Sequence, residues 1–104
     1  MATSPTQLSL KKLKEDGYTV AITERWNPFA KIRQDLFGFI DLLALGDDVV
    51  IGVQTTSASN MQARAKKIAD HENVSAVRKS GIKIIIHGWH KVGRKWECKE
   101  MDVS

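Results

Sequence analysis

Apolar and polar positions follow two rhythms along this chain. Between Gln7 and Asp16, Leu8, Leu10 and Leu13 mark an incomplete apolar face and Lys11, Lys12 and Lys14 a wet one, which predicts a surface helix. Ser4 or Thr6 is placed to cap it and Gly17 to end it, with Met1 to Pro5 as a frayed end. Tyr18 to Thr23 alternates and is β-branched, the mark of a strand. Pro28 blocks its continuation, and Phe29 to Gln34 reads as irregular and basic. Leu36 to Leu45 is apolar on both faces, so it is expected as a central strand covered on both sides. Gly46-Asp47-Asp48 predicts a hairpin turn and Val49 to Thr55 a third strand.

From Ser59 the period becomes helical. Met61, Ala65 and Ile68 fall at i, i+4 and i+7, and Ser59 and Gln62 have capping-box spacing. Asn60, Arg64, Lys67 and His71 form a polar line on a neighbouring flank, with Lys66 pointing elsewhere. His71 to Ser80 reads as a loop with a short helix, stopped by Gly81. Ile82 to His87 is a buried strand, and Trp89 and Trp96 flank a last turn near Val92 to Lys95, which predicts a cross-strand aromatic pair. The order is αβββαβ with an appended strand. It describes one α/β domain over residues 1–104, with a mixed central sheet, flanking helices and a C-terminal β-hairpin.

The apolar pattern is broken at its centre. Asp41 interrupts Phe39-Ile40 and Leu42-Leu43, and Gln54-Thr55-Thr56 ends the run that begins at Val49. An unpaired polar group buried there costs roughly 2–7 kcal/mol, so these residues have partners or hold something. Asp41 paired with Arg33 or Arg64 is one solution. A divalent cation is the other, because hard cations take oxygen ligands and Asp41 and Gln54 lie on adjoining strands. Gln54 and Thr56 share a strand face. On general burial habits Glu24 and Asp35 read as surface residues, and Asp47 and Asp48 as turn residues.

Here the residues resemble a family. The αβββαβ order, a hydrophobic strand holding Asp41, a short hairpin and a strand ending in a polar triplet resemble the PD-(D/E)XK nuclease superfamily, which includes restriction endonucleases and archaeal Holliday-junction resolvases. The resemblance covers about residues 7 to 87. It implies a restriction-endonuclease-like fold and a nuclease that hydrolyses DNA phosphodiester bonds with Mg²⁺ or Mn²⁺. Phe39-Ile40-Asp41 stands at the family's Asp motif and Gln54-Thr55-Thr56 at its acid-x-Lys motif. By this correspondence Asp41 binds the metal, Gln54 completes or orients its shell, and Glu24, at the end of the first strand, adds a carboxylate. The departures are Ile40 for proline, Gln54 for the acid and Thr56 for the lysine. The missing cation is then expected from Arg64 or Lys67 on the following helix. Resembling nucleases often pair, so a homodimer is expected.

Composition narrows the partners. Sixteen Lys and Arg against twelve Asp and Glu give a charge of +4, compatible with a polyanion. Lys31 and Arg33 in one basic segment, and Lys91, Arg94 and Lys95 near the last turn, are candidate phosphate contacts. Cys98 is alone, which excludes a disulfide framework and fits a reducing, intracellular setting. His71, His87 and His90 lack zinc-ligand spacing. No apolar run approaches the roughly 20 residues of a membrane span, and the first residues lack a secretory pattern. Two other classes stand beside the nuclease: a non-catalytic nucleic-acid-binding module on the same fold, and an interaction subunit whose polar core is purely structural.

Overall fold

The computed structural model describes residues 4–104. Met1 to Thr3 of the predicted frayed end lie outside the described residues. Helix α1 (Pro5–Glu15) begins before the expected Gln7, because Ser4 caps it, its hydroxyl accepting from the Gln7 N–H at 3.2 Å, and proline at the first helical position gives up an N–H that has no helical partner anyway. Five strands form the main sheet in the order β1-β4-β5-β6-β7, built from β1 (Thr19–Ile22), β4 (Leu42–Gly46), β5 (Val49–Ser57), β6 (Lys83–Val92) and β7 (Lys95–Asp102). Only β5 and β6 pair in parallel; the other neighbours are antiparallel. The crossover between them carries α2 (Met61–Ala69) and α3 (Val74–Lys79), as parallel pairing requires. The mixed α/β architecture expected from the pattern is therefore present.

Each sheet face has its own core. On one, Leu13 of α1 packs with Leu42, Ala44, Ile51 and Val53. On the other, Met61, Ile68, Val74 and Val77 of α2 and α3 pack with Phe39, Ile40, Ile84 and Ile86. No helix among the described residues is long and apolar enough to cross a membrane.

Several expectations are corrected. The central strand is β5, not the segment Leu36 to Leu45. Strand β4 starts only at Leu42, and Leu45 is 46% exposed, because the second helical layer covers β5 and β6 instead. Residues 35–41 make a tight loop, with Leu36 bridging to Ile40. Phe37 (φ 56°) and Gly38 (φ 92°) take left-handed conformations there. Phe29 to Gln34 is not irregular: β2 (Arg25–Asn27) and β3 (Ile32–Gln34) form a separate two-stranded hairpin. The Ser59–Gln62 capping box does not form. A 3₁₀ turn over Ala58–Asn60 leads straight into α2, whose cap, Asn60, makes no side-chain hydrogen bond. Trp89 stands opposite Cys98, and Trp96 opposite Lys91, whose ammonium lies 5.5 Å from the indole centroid. The two tryptophans are therefore not a directly opposed pair.

Gly38 is doubly constrained. Besides its positive φ, a Cβ there would lie 2.2 Å from His71 Nε2, and the rigid imidazole is itself packed edge-on to Phe39. Gly38→Ala is expected to lower stability by about 1–3 kcal/mol, the usual cost of such a forced backbone conformation. Urea unfolding should show a lower midpoint at unchanged slope, and the loss should shrink in a His71→Ala background, where only the backbone term remains.

Candidate metal centre

Asp41 extends the sheet one residue before the start of β4. Its N–H donates to Val53 O at 2.8 Å, and its carbonyl accepts from Thr23 N–H at 2.8 Å and Glu24 N–H at 3.3 Å. The main chain thus fixes the carboxylate where β1, β4 and β5 meet. The side chain is 3% exposed. Its Oδ2 accepts three hydrogen bonds: from Gln54 Nε2 at 2.8 Å, Thr55 N–H at 2.8 Å and Thr55 Oγ1 at 3.1 Å. A hydroxyl has one proton, so Thr55, donating to Asp41, accepts from Thr6 Oγ1 of α1 at 3.0 Å.

These contacts decide between the sequence alternatives. Asp41 pairs with no arginine among the described residues; Arg33 meets Glu24 instead, Nη1 to Oε1 at 3.6 Å. Gln54 meets Asp41 through its amide nitrogen, so in this arrangement it orients the carboxylate. Its oxygen would face an ion at Asp41 only after half a turn of the amide.

Carboxylate oxygens of Glu24, Asp35 and Asp41 lie within 4.8 Å of one another. Burial habits place Asp35 at the surface, but the loop at Phe37 and Gly38 folds it back beside Asp41. No periodicity in the sequence signals that turn. Burial pushes the Asp41 carboxyl up to about 8, and the adjacent Asp35 carboxyl adds to the rise, against a lowering by the Thr55 N–H. Three acids so close cannot all ionise cheaply without a cation.

Around the cluster is a cleft of about 390 Å³, bordered by Arg33, Arg64 and the first turn of α1. A second cleft of about 490 Å³ is lined by Asp35, Gln54, Arg64, Lys67 and His71. Lys66 also borders it, contrary to the expectation that it points elsewhere. Arg64 reaches both clefts and Lys67 the second. Thr56 is buried and borders neither. Lys31 is exposed at the β2–β3 turn. Lys91, Arg94 and Lys95 lie at the tip of the β6–β7 hairpin. Val92 is six residues past Ile86, the partner of Gln54, or about 20 Å along the strand, so this basic tip does not share the acidic cleft.

A second polar network escaped the sequence reading. Trp89 Nε1 donates to Ser9 Oγ at 2.8 Å, and Ser9 Oγ lies 2.9 Å from His87 Nδ1. His87 Nε2 lies 3.3 Å from Glu100. With Trp89 as donor, Ser9 gives its proton to Nδ1 and the imidazole carries its own on Nε2. Ser9 is 0% exposed, so no substrate reaches it, and the network serves to clamp α1 onto β6.

The raised Asp41 value has a sign that can be measured. In the metal-free protein Asp41 keeps its proton up to about pH 8, whereas unfolded it loses it near 3.8. The stability this group contributes is therefore complete below the unfolded value and falls as pH climbs through the folded one. In EDTA, the stability of the wild type relative to Asp41→Asn should decline steadily from pH 4 to pH 8, read from urea midpoints. A flat difference would refute the assignment.

Comparison with known proteins adds no further constraint: no family model, no curated protein and no solved structure matches this chain.

Proposed function

We propose that this chain is a metal-dependent nuclease that hydrolyses DNA phosphodiester bonds, with Glu24, Asp35 and Asp41 holding Mg²⁺ or Mn²⁺. The observation that carries the reading is the convergence of three carboxylates within 4.8 Å in an open cleft flanked by two arginines. The residues fit such an ion. Opposite ligands of Mg²⁺ stand about 4.2 Å apart, so a small side-chain rotation of Glu24 or Asp35, neither locked in the core, closes the set. When bound, the ion lowers the pKa of its water and neutralises charge on the phosphate being cleaved.

The chain's own residues do the rest. Gln54 and Thr55 occupy Asp41 Oδ2 and so leave Oδ1 for the ion. Arg64 stands in for the lysine that Thr56 replaces. Its guanidinium is always protonated, so it holds phosphate charge and cannot take a proton from water. Lys67 adds charge from the neighbouring cleft. One observation favours the non-catalytic binding module as second reading: among the described residues no lysine borders the acidic cleft.

Cleavage of linear, single-stranded and branched DNA in Mn²⁺ tests this. Asp41→Ala should abolish cutting. Arg64→Ala should slow it by about 10²–10³, the loss of one well-placed electrostatic group, while DNA binding survives, and Lys67→Ala should slow it less. Calorimetry should detect Mn²⁺ binding to the wild type and none to Asp41→Ala. Wild-type protein that binds DNA and cuts none of the three would establish the second reading.

A further inference from the structure

The β2–β3 hairpin has no place in either core. It stands off the main sheet as its own two-stranded unit, and its apolar side chains face water: Trp26 is 59% exposed, Phe29 97% and Ile32 51%. Trp26 shares its face of the hairpin with its cross-strand partner Arg33, and Ile32 lies on the other face beside Asn27. The exposed rings are therefore set among cations and polar groups and do not form one apolar patch. Between Arg25 and Gln34 the chain also carries three cations, Arg25, Lys31 and Arg33, and no acid. Aromatic rings interleaved with cations match the chemistry of unpaired nucleotides, whose bases stack on rings while their phosphates meet the charges.

The tip is preorganised. Asn27 Oδ1 accepts from Phe29 N–H at 3.0 Å and Ala30 N–H at 3.1 Å. Its Nδ2 donates to Gln34 Oε1 at 3.3 Å, tying the two strands together. This side-chain turn holds the backbone that carries Phe29 outward, so little ordering is left to binding. The hairpin also adjoins the acidic site. A cleft of about 370 Å³ is bordered by Arg25 and Trp26 and shares Ser4, Thr6, Glu24 and Arg33 with the cleft over Asp41.

We infer that the β2–β3 hairpin is a base-stacking element that directs this protein to nucleic acid with unpaired bases, Trp26 and Phe29 taking the bases and Arg25 and Lys31 the phosphates. The inference rests on the nuclease reading only for its purpose, delivery of a phosphate to the acidic cleft; the binding itself is independent of the metal. A stacked duplex offers these rings no free base face, so selectivity for unpaired strands follows.

The test is fluorescence anisotropy of the full chain in EDTA, with labelled oligothymidylate and with a duplex of the same length. Wild type should prefer the single strand. Trp26→Ala and Phe29→Ala should each weaken single-strand binding by about 5- to 150-fold, the loss of one stacked base, with duplex binding nearly unchanged. Both rings are exposed, so the variants should keep the wild-type circular dichroism and urea midpoint. Equal losses on both substrates, no loss on either, or no single-strand binding by the wild type would overturn the inference. So would sedimentation showing that the wild type self-associates and the double variant does not while single-strand binding is unchanged, since the face would then join two copies of this chain. Single-strand binding without Mn²⁺-dependent cutting would sink the nuclease reading alone. Cutting by a wild type whose hairpin variants bind normally would sink the hairpin alone.

Discussion

The contacts at Asp41 Oδ2 hold the centre of this molecule together. One oxygen accepts from the side chain of Gln54 and from both the backbone and hydroxyl of Thr55, and Thr55 passes the connection to Thr6 of α1. Gln54 lies toward the α2 side of the sheet and Thr55 toward α1. A single carboxylate therefore ties the start of β4 to β5 and, through Thr55, to α1. Three donors on one oxygen satisfy that oxygen while the group as a whole remains crowded by Asp35 and Glu24. Oδ2 thus organises the fold, while the carboxyl as a whole stays crowded by its acidic neighbours.

That division explains the contrast between the two buried polar networks. Ser9, His87 and Trp89 form a closed set in which each buried donor has an acceptor, and burial holds the His87 imidazole below its usual range. Such a network stabilises one packing of α1 on β6 and has no unmet demand. The Glu24, Asp35 and Asp41 cluster is the reverse. Its carboxyls crowd one another, its cleft is open, and its nearest cation contact, Arg33 to Glu24, is made by an arginine whose side chain is largely exposed. Burial and the neighbouring carboxyls make the ionised form of Asp41 costly, which is why its carboxyl is raised.

The positive charge is arranged around this deficit. Arg64 and Lys67 approach from α2 along the face lined by Gln54, and Arg33 approaches from the β2–β3 hairpin. Lys91, Arg94 and Lys95 stand apart at the β6–β7 tip, about 20 Å along the strand from the partner of Gln54. Thr56, at the position where the resemblance places a lysine, is buried within the sheet.

Much of this was legible in the chain itself. Alternation and helical spacing gave the order of elements, because burying one face of a strand or helix imposes periods that composition cannot hide. The break in that pattern at Asp41 and at Gln54 marked the two residues that meet, since a short hairpin between them forces adjoining strands into register. Tertiary structure alone decided the rest. Asp35 joins the cluster because left-handed residues at Phe37 and Gly38 reverse the chain, a turn with no periodic signature. Ser9 meets His87 across 78 positions, and no local rule carries that far. The β2–β3 hairpin hides in a segment too short to show a period, and its exposed rings gain meaning only from where they stand. Local sequence determines which faces must be buried; which polar groups are then brought together depends on how the buried faces pack.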